Sequence, residues 1–227
     1  MCVKREDKMW DRMRMKGRIV MVMMVVMVVM MVVMMGCNSG GGIKEGDEGK
    51  AKKGDGSVID LKVVSKKIKD AVKFAEKVKE VHTLVKSVDE LAKAIGKKID
   101  ANGSLADEAD HNGSLLAGVH SVISAVNTKL KGLETTDNIS DELKGKIVAV
   151  GKEGKAFLDK LKEKNAALGK EGAKDTDAKS AIDVTANTKD KGATELAKLN
   201  GTINELLNAS NKIVSDVIAE LVVKPTI

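Results

Sequence analysis

The sequence holds no tyrosine, and only two phenylalanines, one tryptophan and one proline occur in 227 residues. β-Sandwiches and barrels draw on aromatic and turn-forming residues, so this scarcity argues against an all-β fold. Cysteine is almost as rare, with Cys2 and Cys37 alone, too few for a disulfide scaffold. The three histidines, His82, His111 and His120, fall at spacings that make no metal site, and no cofactor is implied. What remains is 43% apolar and 32% charged, enough for one core with appendages. Ala, Lys, Val, Leu and Glu dominate, and these residues favour helices. The composition points to an all-α protein.

The residues are unevenly placed. All twelve methionines, the tryptophan and all four arginines (Arg5, Arg12, Arg14, Arg18) precede residue 36. A basic stretch to Arg18 is followed by Ile19 to Met35, seventeen residues without a polar side chain. A bilayer span takes about 20 residues, so length alone leaves two readings open: a retained anchor helix and a secretory signal. The next residues, Met34-Met35-Gly36-Cys37-Asn38-Ser39-Gly40, favour the second. They resemble a bacterial lipobox, in which the cysteine sulfur receives a diacylglyceryl group and the signal peptide is cut on its amino side. Gly36 meets the need for a small residue before the cut, and Met34 stands where Leu is commoner. Cys37 would then be the lipid-bearing first residue, each buried methylene adding about 0.8 kcal/mol of membrane affinity. The basic upstream segment is also consistent with a start at Met13 or Met15.

Removing residues 1–36 takes away seven basic and three acidic side chains, so the formal +6 of the whole chain falls to +2, from 32 basic and 30 acidic groups. Residues 37–57 then read as a lipidated tether. Their run NSGGGIKEGDEGKAKKGDGS has one sizeable apolar residue, Ile43, and cannot bury enough surface to offset the entropy of ordering. A flexible chain of this length spans roughly 25 Å.

Residues 58–227 carry apolar side chains at alternating steps of three and four, the helical signature. Leu61, Val64, Ile68, Ala71, Ala75, Val78, His82 and Val85 form a stripe on a first long helix that Gly96 ends. Asn102-Gly103-Ser104-Leu105 and Asn112-Gly113-Ser114-Leu115 repeat a turn signal ten residues apart, so a small hairpin or loop follows. A second helix carries Leu116, Val119, Ile123, Val126, Leu130 and Leu133. A third spans about Ile139 to Leu168, with Leu143, Ile147, Val150, Gly154, Phe157, Leu161 and Leu168 inward. Within it, Gly151 and Gly154 suggest a close approach by another backbone. A short fourth follows Asp175-Thr176-Asp177, and a last runs from about Ala193 to Val223 with Leu196, Leu199, Ile203, Leu206, Ser210, Ile213, Val217 and Leu221. Four long helices and one short one with short connections make an antiparallel bundle.

Catalytic patterns are weak. Gly145 to Lys152 has five residues between its glycines and no following Ser or Thr, so it is not a phosphate-binding loop. Asp175 and Asp177 open like a calcium loop but lack its later ligands, and helix capping accounts for them better. Nucleic-acid binding is disfavoured by near-neutral charge and the lack of aromatic platforms. Two surfaces stand out. Lys62, Lys66, Lys69, Lys73 and Lys77 line one side of the first helix, where they are either a solvated face neutralised by Glu76 and Glu80 or a patch for sulfated glycosaminoglycans or another anionic surface. Leu61, Val64, Ile68, Ala75, Val78 and His82 make a stripe longer than one bundle needs, a candidate homodimer contact.

Five segments carry a resemblance: DELAKAIGKKI at Asp89–Ile99, HNGSLLAG at His111–Gly118, KLKGL at Lys129–Leu133, LKEKNAALGKEGAKDT at Leu161–Thr176 and TKDKGATELAKL at Thr188–Leu199. In this order they resemble the outer surface protein C and variable small protein family of Borrelia lipoproteins. The resemblance implies a non-enzymatic, surface-exposed spirochaete lipoprotein of the outer membrane, a helical bundle with a small hairpin after the first helix, and a dimer. It also implies immune evasion by antigenic variation, with host antibodies as partners, and binding of host glycans or proteins. Two features depart from the pattern: the Met- and Val-rich leader, and Glu153 where outer surface protein C has a cysteine, which removes a disulfide-linked dimer. With a lipid on Cys37, Gly96–Asn112 and Gly169–Thr176 should lie at the end far from the membrane.

Overall fold

The computed structural model describes residues 50–52 and 58–220. Strands β1 (Lys50–Lys52) and β2 (Val58–Asp60) lead into helix α1 (Leu61–Leu91), a 3-10 turn (Ala92–Ala94), and the hairpin β3 (Lys97–Ile99) and β4 (Leu105–Asp107). Then come α2 (Gly113–Glu134), α3 (Asp141–Glu163), α4 (Asn165–Leu168), α5 (Asp175–Ile182) and α6 (Ala193–Ala219). The four long helices α1, α2, α3 and α6 form a ring in which each packs on two others, α1 on α2 and α6, α3 on α2 and α6. The all-α bundle with four long helices and a small hairpin after the first is therefore the observed fold.

Local chemistry sets the ends. Asp60 caps α1, its carboxylate accepting from the Lys62 and Val63 amides at 2.9 and 3.1 Å. Ser140 caps α3 by accepting from Leu143 N–H, and Asp141 and Glu142 in its first turn and Lys160 and Lys162 in its last complement the helix dipole. Gly96, at φ +68°, turns the chain out of α1 into β3, a left-handed conformation that side-chain-bearing residues resist.

The core is a column of Val78, Val81, Val85 and Val88 from α1, the six predicted positions of α2, Leu143, Ile147, Val150 and Phe157 from α3, and Leu196, Leu199, Ile203 and Leu206 from α6. Each such side chain stabilises the fold by about 1.5–3 kcal/mol relative to exposure. Ala178, Ala181 and Ile182 of α5 plug the hairpin end.

Four expectations change. The inward face of α1 follows Val64, Phe74, Val78, Val81, Val85 and Val88, so Ile68, Ala71, Ala75 and His82 sit half-buried on its flank. A straight helix turns 3.6 residues per turn and drifts away from a strict heptad stripe. The third helix stops at Glu163, and Lys164, at φ −93° and ψ 16°, separates it from the single turn α4. β1 falls within the stretch expected to be a disordered tether, because Lys50, Ala51 and Lys52 pair antiparallel with Asp60, Ile59 and Val58; backbone pairing orders a segment that has little apolar surface of its own. The space beside Gly154 is filled by the Asn127 side chain, not by a backbone, and Gly151 faces open space. The leader, Cys37 and Leu221 lie outside the described residues.

Candidate functional site

Two surfaces at opposite ends of α1 are built differently. At its start, Lys62, Lys66, Lys69 and Lys73 line a shallow groove of about 530 Å³ with Leu61, Ser65 and Asp70. Lys77 does not line it. Among the described residues none of these four lysines makes an ion pair, and Glu80, expected to neutralise this face, instead bonds Lys129 of α2 at 2.8 Å. Lys67, next to Lys66, pairs with Glu220 at 3.3 Å and ties the start of α1 to the end of α6.

The predicted dimer stripe is not one free face. Val64 and Val78 are buried within the subunit, Leu61 is exposed, and Ile68, Ala75 and His82 are half-buried. His82 is engaged as well, its Nε2 lying 2.9 Å from Asn204 Oδ1 of α6. His111 and His120 are exposed and far from forming a cluster with it.

At the other end the hairpin pairs Lys97 with Asp107, Lys98 with Ala106 and Ile99 with Leu105. The Asp100 carboxylate closes its turn by accepting from the Asn102 and Ser104 amides at 2.9 and 2.8 Å. Lys97 and Asp107 form an ion pair across the strands, and Lys98 reaches Glu108 at 3.2 Å. The cross-strand pair Ile99 and Leu105 is 76% and 63% exposed.

A buried polar clasp holds this hairpin. Asn112 is almost fully covered; its Oδ1 accepts from Gly96 N–H at 2.9 Å, and its Nδ2 donates to Ala173 O at 3.0 Å and to Asp175 Oδ1 at 2.7 Å. Asp175 also accepts from Asp110 N–H at 3.0 Å, and Asp110 returns the bond by accepting from Asp175 N–H at 2.9 Å. Asp110 has φ +62°, an uncommon conformation that this reciprocal pair maintains. The Asn112 amide and then the Asp110 backbone N–H hold the Asp175 carboxyl below its usual range. Asp175 thus does not cap its own helix, as expected, but clasps the loop before α2. Asp177 pairs with Lys191 at 3.5 Å. The clasp joins the Gly96–Asn112 and Gly169–Thr176 segments. The first Asn-Gly-Ser-Leu marked the hairpin turn and the second fell at the start of α2, but nothing in the sequence marked a contact between residues 63 positions apart.

A third, polar cleft of about 510 Å³ runs between α5 and the loop that follows, past Thr176, Ser180 and Lys191. Ser180 donates to Asp190 at 2.6 Å and holds that carboxyl low, and Thr185 does the same for Asp183.

A family model described as Lipoprotein matches residues 58–227, the whole bundle. The chain belongs to this lipoprotein family. Within it, the chain is 45% identical over 190 residues to variable small protein 11 of Borrelia hermsii, covering 82% of this chain and 89% of that one. It is 42% identical over 188 residues to outer surface protein C of Borreliella burgdorferi, covering 82% and 86%. The solved structure of variable small protein 1 of Borrelia turicatae matches with a TM-score of 0.69 and 56% identity, over 72% of this chain and 99% of that one. The family is one of surface lipoproteins, not of enzymes.

Proposed function

We propose that the protein is a variable surface antigen, anchored in the outer membrane by lipid on Cys37, that serves immune evasion by antigenic variation. The observation that carries this reading is the separation of tip from frame. The hairpin Lys97–Asp107 makes its contacts within itself, through its ladder, its Asp100 turn and its ion pairs. Asn112, Asp110 and Asp175 hold it at its base, away from the valine column. Tip side chains can therefore change without disturbing the core, and exposed loops are where such change is tolerated. With the lipid at the opposite end, an antibody meets the tip first. Surface proteolysis of intact cells should cut between residues 100 and 112; complete resistance there refutes the orientation. A mass spectrum showing unmodified Cys37 still joined to Gly36 refutes the anchor.

A second reading is favoured by the lysine groove: an adhesin for sulfated glycosaminoglycans, through Lys62, Lys66, Lys69 and Lys73, four ammonium groups without ion-pair partners among the described residues. Salt-sensitive retention on heparin that is lost when these lysines become serine supports it, and absence of retention at low salt refutes it. The homodimer of the first reading would use Ile68, Ala75 and His82, which recur at heptad spacing on the flank of α1 that the bundle leaves half-covered. Sedimentation that finds only monomer at roughly tens of micromolar refutes it.

A further inference from the structure

Apolar side chains cluster at the end of the bundle where α1 begins. Val58 is 55% exposed, Leu61 43% and Val63 50%, and they sit within six consecutive residues of β2 and the first turn of α1. Val58 and Val63 also line a small groove with Ile59, Val64 and Glu220. Lysines flank these aliphatics, and the acids nearby are partly committed. From Val58 to Asp70 there are four lysines and two aspartates; Asp60 spends its carboxylate on the α1 cap and Glu220 is paired with Lys67. Lys62 and Lys66, on either side of Val63, are without ion-pair partners among the described residues. Exposed aliphatics interleaved with unpaired ammonium groups suit the boundary between phospholipid headgroups and acyl chains, where lysine stems lie along apolar surface and their charges reach phosphate.

Chain length places that boundary within reach. Eleven residues lie between Cys37 and Gly49, a distance of about 40 Å at most. β1 turns the chain directly into the apolar cluster. A bundle tied this closely sees the bilayer at a high effective concentration, so weak contacts suffice to dock it.

We propose that Val58, Leu61 and Val63 form a foot that rests in the headgroup region of the bilayer bearing the Cys37 lipid, with Lys62 and Lys66 on anionic headgroups. The foot gives the bundle a set orientation that a lipid tether alone does not impose. The proposal rests on the reading that Cys37 is lipidated.

The mature chain contains no tryptophan, since Trp10 lies in the leader, so one introduced tryptophan reports alone. Lipidated Val63→Trp should be reconstituted in vesicles of phosphatidylglycerol and phosphatidylcholine whose acyl chains carry bromine, beside Val148→Trp, a 55% exposed position two turns into α3. Emission of the Val63→Trp chain should fall by roughly half and shift to the blue, as for a side chain at the headgroup and acyl boundary, while Val148→Trp stays unchanged. Serine at Lys62 and Lys66 should weaken the quenching, and so should omission of phosphatidylglycerol. If both proteins float with the vesicles and neither is quenched, the anchor stands and the foot is wrong. Equal quenching of both also overturns the foot, because the bundle then lies flat. If neither protein floats with the vesicles, the lipid reading fails and the foot fails with it. Loss of heparin retention on the lysine changes, with no quenching at Val63→Trp, assigns those lysines to glycan and overturns the foot.

Discussion

Replacing Asn112 with alanine should cost about 3 kcal/mol of stability, and the structure shows where each part arises. The substitution removes the acceptor of Gly96 N–H and the donors to Ala173 O and the Asp175 carboxylate. The two neutral bonds are worth about 1 kcal/mol each, and the bond to a partly exposed carboxylate adds roughly as much again. Ala173 O keeps the Asn112 main-chain N–H as a partner at 3.3 Å, which holds the total near this figure. For a domain of this size, 3 kcal/mol lowers the melting temperature by roughly 6–12 °C. Far-ultraviolet circular dichroism follows the melt, and hydrogen exchange at the Gly96 amide reports the local loss. The pH dependence is a second readout. The Asp175 carboxyl is held low, first by Asn112, so its contribution is present above the unfolded carboxylate range near pH 4 and is lost as pH falls through the lower folded value. Asn112→Ala removes the largest cause of that shift and should flatten the acid limb of the stability curve. A variant that melts within about 2 °C of the parent with an unchanged acid limb would refute the clasp as a stabilising element.

Four further outcomes follow from the packing. Gly113→Ala should destabilise by about 1–3 kcal/mol in a denaturant titration, because a Cβ there runs into the Lys170 carbonyl on a neighbouring segment. Gly154→Ala meets only the end of the Asn127 side chain, whose Oδ1 has no hydrogen bond to lose, so it should be neutral or mildly stabilising in the same assay. Gly118, Gly132, Gly145, Gly151 and Gly201 are helical and face open space, and each should gain about 0.5–1 kcal/mol as alanine, measurable singly and combined. Ile99→Ser with Leu105→Ser should leave the melting temperature within about 2 °C of the parent, since the pair projects from the tip and supports nothing beneath it.

The sequence displayed most of the bundle because α2 and α3 carry their buried residues at unbroken three-four spacing; Leu116 to Leu133 and Leu143 to Leu161 are all inward. It displayed α1 less well. Neighbouring residues compete there for the inward position, Phe74 beside Ala75 and Val81 beside His82, and the heptad reading chose Ala75 and His82 where the fold buries Phe74 and Val81. Such ties are broken by where the neighbouring helices stand, which is a property of the assembled ring. The lysine groove was legible as spacing on one helix, but the departure of Glu80 to Lys129 was not, since that pair spans two helices. The clasp was least visible. Asn112 looked like turn punctuation, and its partners Gly96, Ala173 and Asp175 come from two connections far apart in sequence that only the closed bundle brings together.

The ion pair between Lys67 and Glu220 sets the start of the first helix beside the end of the last, and at the hairpin end the described residues form connections between elements. A single proteolytic nick at the exposed Asn102-Gly103 turn would therefore shed nothing. The shorter piece keeps α1, gripped by α2 on one side and α6 on the other, and the longer piece keeps the remaining three long helices. The clipped molecule stays whole by packing alone, its two pieces parting only on denaturation.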